Sequence, residues 1–298
     1  YVGTLTASAT IRGLFKRNNI LYSTLNQGIR KLDMTNPSIG PTMYFTGLGG
    51  EAGIGSKAFE FTQRFSDANW YTIFEQGGIN NFGSIARFDF SSSSIINVHN
   101  FQGGADGQSP STQLVNGLAG AIYGTAPTGT GDQYVLYKVS SSGVYSILHT
   151  FNSTNDGMSI SAVPVLVGGK LYGISESNGA NDGGTIWSYD FDNNLFSIEE
   201  QLGFENGKSP VNGLASGANA SEYLYSTYQG GNPHKGTVNQ FNSTNNSTSL
   251  ISIITDPKIS KMYYRPILRN GKYYIFPEFG AGIYDSFFGL AELDINTG

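Results

Sequence analysis

The chain has 298 residues and a mass of 32.0 kDa, enough for one large domain with a sizeable core. Gly contributes 40 residues, aromatic residues 13% and charged residues 13%, which excludes a disordered chain and disfavours a helical bundle. The net charge is -5, and the densest basic clusters are only Lys16-Arg17 and Arg30-Lys31, so a nucleic-acid partner is excluded. No run of 18 apolar residues occurs, so no membrane insertion by a helix is expected. The absence of Cys removes disulfides, thiolate metal sites and Cys nucleophiles together. Opening at Tyr1 without a charged-then-apolar leader, the chain reads as a mature form or a fragment.

In chain order, residues 1–9 open a β-prone segment, Tyr1-Val2-Gly3-Thr4-Leu5 and onward. A recurring strand then appears as Leu21-Tyr22-Ser23-Thr24 and Trp70-Tyr71-Thr72-Ile73. It returns as Ile122-Tyr123-Gly124-Thr125, Leu171-Tyr172-Gly173-Ile174, Leu224-Tyr225-Ser226-Thr227 and Tyr273-Tyr274-Ile275-Phe276. The second-position tyrosines Tyr22, Tyr71, Tyr123, Tyr172, Tyr225 and Tyr274 are spaced by 49, 52, 49, 53 and 49 residues. Each unit continues in the same order. A Gly-rich loop such as Gln76-Gly77-Gly78 leads into a second strand such as Thr185-Ile186-Trp187-Ser188-Tyr189. A polar turn such as Asp192-Asn193-Asn194 and an alternating strand such as Val144-Tyr145-Ser146-Ile147-Leu148 follow. A loop of the type Asp106-Gly107-Gln108-Ser109-Pro110 then feeds a short apolar strand and the next Tyr strand.

Four short strands per unit of about 50 residues predict an all-β, six-bladed β-propeller, with four antiparallel strands per blade, over residues 1–298 as a single domain. The last unit ends in a strand-like Leu290-Ala291-Glu292-Leu293 and a turn, one strand short. The N-terminal strand carrying Tyr1, Val2 and Leu5 is expected to complete that last blade, because a blade left one strand short exposes an edge. It does so within its own chain, or in a neighbouring copy, which repeated head to tail gives a filament.

These units resemble the Gloeo-Verruco (GloVer) type of tandem repeat, whose pattern is Leu-Tyr-Gly-Thr-Thr, a Gly run, then Gly-Thr-Val-Phe. The matching residues are Leu171-Tyr172-Gly173 with Gly184-Thr185-Ile186-Trp187, and Leu224-Tyr225-Ser226-Thr227 with Gly236-Thr237-Val238. Ile122-Tyr123-Gly124-Thr125 matches the first half, and the first and last units depart furthest from it. The resemblance implies an extracellular or surface-displayed propeller and no specific activity.

Candidate chemistry is sparse. His99 and His149 lie 50 apart at equivalent positions and read as packing residues, while His234 stands in a loop. Glu75, Glu176 and Glu278 each lie four residues after a repeat Tyr, in alternate units. In a ring they would form a threefold set of ligand-binding acids, for a cation or sugar hydroxyls, against the plainer reading of separate solvated loop residues. The Asp-Gly loops at Asp106, Asp156 and Asp182 lack the alternating acids and terminal Glu of a calcium loop and read as Asx-Gly turns. No metal and no cofactor is expected. Glycosylation sequons stand at Asn152, Asn219, Asn242, Asn245 and Asn246, with Asn152, Asn219, Asn242 and Asn246 as the candidate acceptors. Phe82, Tyr228, Phe279 and Tyr284 are loop aromatics that could stack on sugar rings.

The scarcity of catalytic side chains favours a non-catalytic extracellular or cell-surface module for adhesion or self-assembly, partnered by itself through strand addition. A glycan-binding lectin, partnered by carbohydrate, is the first alternative. A polysaccharide-acting hydrolase or lyase using one of the three Glu is the second.

Overall fold

The computed structural model describes residues 11–25, 28–46, 56–58, 62–63, 69–90, 92, 94–129, 133–204, 207–230, 236–256, 259–262, 264–279 and 287–293. The expected closing strand at Tyr1, Val2 and Leu5 lies outside them, as do His234 and Tyr284. Two compact units make up the chain, Tyr1–Thr150 and Phe151–Gly298.

The chain is all-β, built of antiparallel sheets; in the first, third, fourth and fifth sheets consecutive strands are neighbours. In the first unit, the first sheet joins Ile11–Arg17, Ile20–Leu25, Gly28–Asp33 and Thr42–Thr46. The second joins Trp70–Gln76, Ser84–Asp89 and Ser94–Asn100, and both Ser56–Ala58 and Thr62–Gln63 pair with Trp70–Gln76. The third joins Val115–Asn116, Ile122–Pro127, Tyr134–Val139 and Tyr145–Thr150.

In the second unit, the fourth sheet joins Val165–Val167, Lys170–Ser175, Thr185–Asp190 and Leu195–Gln201. The fifth joins Lys208–Ser216, Glu222–Gln229, Thr237–Asn242 and Ser247–Ile253. The last repeat forms two three-stranded pieces, Ile259–Met262 with Pro277–Phe279 and Phe287–Phe288, and Ile267–Arg269 with Lys272–Ile275 and Ala291–Leu293. A four-stranded meander of this kind is the strand order of a propeller blade.

The Tyr strands of the second to fifth sheets are buried on both faces, whereas those of the first and last repeats are only partly buried. Trp70 to Phe74 are all buried, and so are Leu171 to Ser175. A strand covered on both faces reads as a run of apolar and small residues rather than an alternation. The covering comes from the adjacent sheets. Phe15, Tyr22 and Ile29 of the first sheet pack with Trp70, Phe74 and Phe88 of the second. Tyr71, Ile73 and Ile85 of the second pack with Ile122, Ala126 and Val135 of the third. Tyr172, Ile174 and Ile186 of the fourth pack with Leu214, Tyr225 and Phe241 of the fifth. Val238 and Ile254 pack with Met262, Ile275 and Leu293 of the last repeat. Within each unit, then, consecutive sheets lie face to face and the core is a series of such layers.

One irregularity recurs. Pairing between the third and fourth strands shifts after Ile29, Ile85, Leu136, Ile186 and Val238. Each shift is a β-bulge with one extra residue on the fourth strand (Tyr44, Val98, Leu148, Glu199 and Ile251), which bends and twists the outer strand.

Candidate functional site

The loops that follow the second and fourth strands carry most of the polar side chains. Where the Gly-rich loop enters the third strand, Gly83, Gly184 and Gly236 adopt φ of 89°, 91° and 104°. A Cβ there would lie 2.4, 2.3 and 2.1 Å from the carbonyl oxygens of Phe74, Ser175 and Thr227. Backbone passes too close for any side chain, so glycine is required. The Thr that follows is structural as well. Thr185 Oγ1 donates to the Asp156 carbonyl at 2.8 Å and lies 2.8 Å from Ser175 Oγ. Thr237 Oγ1 lies 2.8 Å from Thr227 Oγ1 in the equivalent place. These hydroxyls are buried and satisfied by one another, which ties the loop to the sheet.

The Asp-Gly loops form single helical turns, Gly104–Asp106 and Ser153–Asp156, rather than open loops. Asp106 Oδ2 accepts the Gln102 amide at 2.8 Å and Asp156 Oδ2 accepts the Asn152 amide at 2.9 Å. Both carboxylates close their own turns, as the Asx-Gly reading expected. Among the described residues, no three His, Asp or Glu side chains converge to hold a metal ion.

Of the three candidate acids, Glu75 is the penultimate residue of its strand in the first unit, while Glu176 and Glu278 belong to the second. All three are half-buried. Glu176 follows the strand Lys170–Ser175 and accepts a hydrogen bond from the Ser161 hydroxyl. Burial raises its carboxyl above the ordinary 4.5, and the bond from Ser161 offsets part of that rise. Glu278 lies in a different sheet, opposite Lys261 on one side and Phe288 on the other. Nothing in the sequence marked Ser161 as the partner of Glu176, because the two lie 15 residues apart and the segments meet through the isolated bridge between Met158 and Ser177.

His99 is a packing residue with a partner. Its ring stacks on Tyr145 at 3.7 Å and 5°, meets Phe101 edge-on, and places Nε2 3.0 Å from Asp106 Oδ2. Burial lowers its pKa below 6.5, opposed by the Asp106 carboxylate. The Tyr145 hydroxyl donates to the Asp106 carbonyl at 2.7 Å, so ring, stack and turn form one unit. Sequence spacing showed the histidine but not its acid, seven residues on across a glycine turn.

Among the loop aromatics, Phe82 is half-buried against the core of the second and third sheets, and Tyr228 is also half-buried. A Cβ on Gly103 would meet the Phe82 ring at 2.9 Å, which shows how closely that ring is packed. The sequons Asn152 and Asn219 are exposed in turns, Asn242 is half-buried at a strand end, and the Asn246 carboxamide oxygen is buried. In the first unit a cleft of about 280 Å³ runs between Tyr71, Arg87 and Asn97 and the turn Ser141 to Gly143.

In fold, the chain is similar to several solved structures at low identity. An oligogalacturonate lyase from Vibrio parahaemolyticus is 12% identical with a TM-score of 0.58, over 98% of this chain and 78% of the other. The extracellular domain of a protein described as a one-component system from B. thetaiotaomicron is 9% identical with a TM-score of 0.57, over 97% of this chain and 33% of the other. The chain therefore spans about a third of that domain's length. The computationally designed protein Ika8 is 12% identical with a TM-score of 0.53, over 89% of this chain and 67% of the other. At these identities the likeness is one of fold. Among curated proteins none matches the chain in sequence. The family model of the Gloeobacter/Verrucomicrobia repeat matches residues 60–282, which contain five of the six Tyr strands and the Gly-Thr turns described above. The chain therefore belongs to the Gloeobacter/Verrucomicrobia repeat family.

Proposed function

We propose that the chain is a non-catalytic, six-bladed β-propeller module that works outside the cell or on its surface, in adhesion or self-assembly. In this reading, the segment Tyr1, Val2 to Leu5 supplies the fourth strand of the sixth blade, in its own chain or in a second copy. One observation carries it. Among the described residues, Phe287–Phe288 and Ala291–Leu293 each pair with one neighbouring strand, whereas the third strands of the earlier sheets pair on both sides. A half-paired strand is a template for strand addition.

Several features support the non-catalytic part. The loop carboxylates Asp106 and Asp156 accept the backbone amides of Gln102 and Asn152, and the Gly-Thr turns are filled by hydroxyl contacts. A two-carboxylate hydrolase needs two acids at a fixed separation, one of them protonated; among the described residues burial holds Glu176 and Glu200 above their ordinary value, and the bonded partner of Glu176 is a serine. The similarity in fold to an extracellular domain and the exposed sequons Asn152 and Asn219 favour an outside location. Among the described residues no helix is long and apolar enough to cross a membrane.

The test is light scattering and negative-stain microscopy of the whole chain and of a chain lacking residues 1–8. Self-assembly predicts filaments or concentration-dependent oligomers that disappear on truncation and are capped by an added peptide of residues 1–8. A monodisperse chain of 32.0 kDa at every concentration overturns the assembly role. If truncation then also leaves the melting temperature unchanged, strand completion is overturned as well.

A further inference from the structure

The innermost strands of the second unit converge on one cavity. It has a volume of about 440 Å³ and is lined by Val165, Leu214, Ala215, Ser216, Arg265, Ile267 and Leu268. That volume is within the range of small-molecule sites, roughly 300–1,000 Å³. Three of the lining residues hold the same place in successive repeats. Val165 pairs with Tyr172, Ala215 with Leu224 and Ile267 with Tyr274. The wall is therefore a repeating feature of the fold, and its chemistry is set by what each repeat places beside it.

Arg265 breaks the pattern. The stretch Val163-Pro164-Val165-Leu166 of the fourth repeat corresponds to Arg265-Pro266-Ile267-Leu268 of the last, and the fifth has Gly213 in the same register. A position held by uncharged residues in the third, fourth and fifth repeats (Gln113, Val163 and Gly213) has become a cation, the single charged group in the lining. The side chain is anchored, because its Nη1 donates to the Leu214 carbonyl at 3.0 Å. A guanidinium has five N–H donors, so one anchoring bond leaves donors for a ligand.

We propose that this cavity is a binding site for a small monocarboxylate, held by the Arg265 guanidinium with its carbon body against Val165, Leu214 and Ile267. The planar fork matches a carboxylate. Arg265, Ser216 and Ile267 are exposed on the cavity's open side, where the single cation balances one negative charge. The Ser216 hydroxyl at the rim adds a partner for a ligand hydroxyl. This assignment is independent of strand addition and of assembly.

The carboxylate could come from an acidic sugar or from a plain aliphatic acid, and the probes separate the two. The whole chain is titrated, by ligand-observed and protein-observed NMR, with D-glucuronate and with cyclohexanecarboxylate. D-glucose, cyclohexylmethanol and sulfate are the controls. At least one acid should bind, with its neutral counterpart roughly tenfold or more weaker. Shifted amides should centre on residues 214–216 and 265–268. Arg265→Gln should weaken the acid by roughly tenfold or more at unchanged melting temperature, and Ile267→Trp should fill the cavity and abolish binding. The site is overturned if neither acid binds, if the neutral counterpart binds equally, or if the shifts map elsewhere. Sulfate binding as tightly as the acids would overturn the carboxylate assignment. Because the amide shifts are read on the unaltered chain, they locate the ligand even where a variant fails to fold.

Discussion

Gly173 faces Trp187 across the middle of the fourth sheet, and a Cβ on the glycine would lie 2.2 Å from Cζ2 of the fully buried indole. The same place in the third sheet holds Gly124 against Tyr137, with the would-be Cβ 2.3 Å from the phenol oxygen. In the second sheet it holds Thr72 against Ala86. In the fifth, counted from the bulge, it holds Tyr225 against Asn239. In the third, fourth and fifth sheets one side of the pair is small or polar where the other is a large ring, and the ring comes from either strand; the second sheet's pair is small on both sides. In those three sheets a large ring is matched by a small or polar neighbour, as close packing demands.

Gly173→Ala should therefore destabilise the protein by about 2–3 kcal/mol, as overpacking of a filled site does. Trp187→Phe, which withdraws the atoms nearest Gly173, should recover part of that loss in the double variant. A double-mutant cycle by urea unfolding should give a coupling of about 1 kcal/mol or more. Additive losses would show that Gly173 is not reserved for the indole.

Gly184 and Gly143 separate backbone strain from crowding. Both have positive φ, 91° and 86°, but a Cβ at Gly143 meets nothing within 4 Å and one at Gly184 meets the Ser175 carbonyl at 2.3 Å. Gly143→Ala should cost roughly 1–2 kcal/mol, the left-handed penalty alone. Gly184→Ala should cost about 2 kcal/mol more, because the obstruction is backbone that cannot turn aside. Equal losses in chemical denaturation would remove crowding as the reason for the glycine in the Gly-Thr turn.

The meander was legible because its signals are local. Tyr strands, Gly turns and polar hairpins recur at near-constant spacing, and the sheets follow that order. The bulges were not legible, because two residues facing one leaves no mark on composition. The phase of the fifth sheet was hidden for a related reason. Tyr172 precedes Gly184 by 12 residues, but Tyr225 precedes Gly236 by 11, so the shorter connection slides the strand by one against its partner. A one-residue slip exchanges the faces of a strand, and Tyr225 lands where Gly173 lies, not where Tyr172 lies. Arg265 was visible in principle, as a cation at a repeat position held by the uncharged Gln113, Val163 and Gly213 in the third to fifth repeats. Recognising it required aligning the innermost strands, which are short and poor in markers.

Glycosylation should follow the exposure of the sequons. Asn152 and Asn219 are exposed, and their side-chain oxygens accept the Thr154 and Ser221 amides at 2.9 and 3.0 Å, which directs the carboxamide nitrogen away from the turn. Asn246 has φ of 52° and a buried carboxamide oxygen. Expression in a glycosylating host followed by peptide mass spectrometry should find Asn152 and Asn219 occupied ahead of Asn246. Preferential occupancy of Asn246 would mean that its turn opens before folding is complete.

Stability should depend on pH through two groups of opposite sign. His99 is held below its ordinary 6.5 by burial, so between that lowered value and 6.5 the unfolded chain binds more protons. Stability then falls as pH drops through this window. Glu176 is held above its ordinary 4.5 by burial, so its contribution is complete below 4.5 and is lost as pH rises from there through the raised value. Urea unfolding across this range should give a curve whose slope flattens near neutrality in His99→Gln and at the acid end in Glu176→Gln. A His99→Gln variant with an unchanged slope near neutrality would mean that the imidazole is no harder to protonate folded than unfolded, and that its stack on Tyr145 opens as readily as a surface contact.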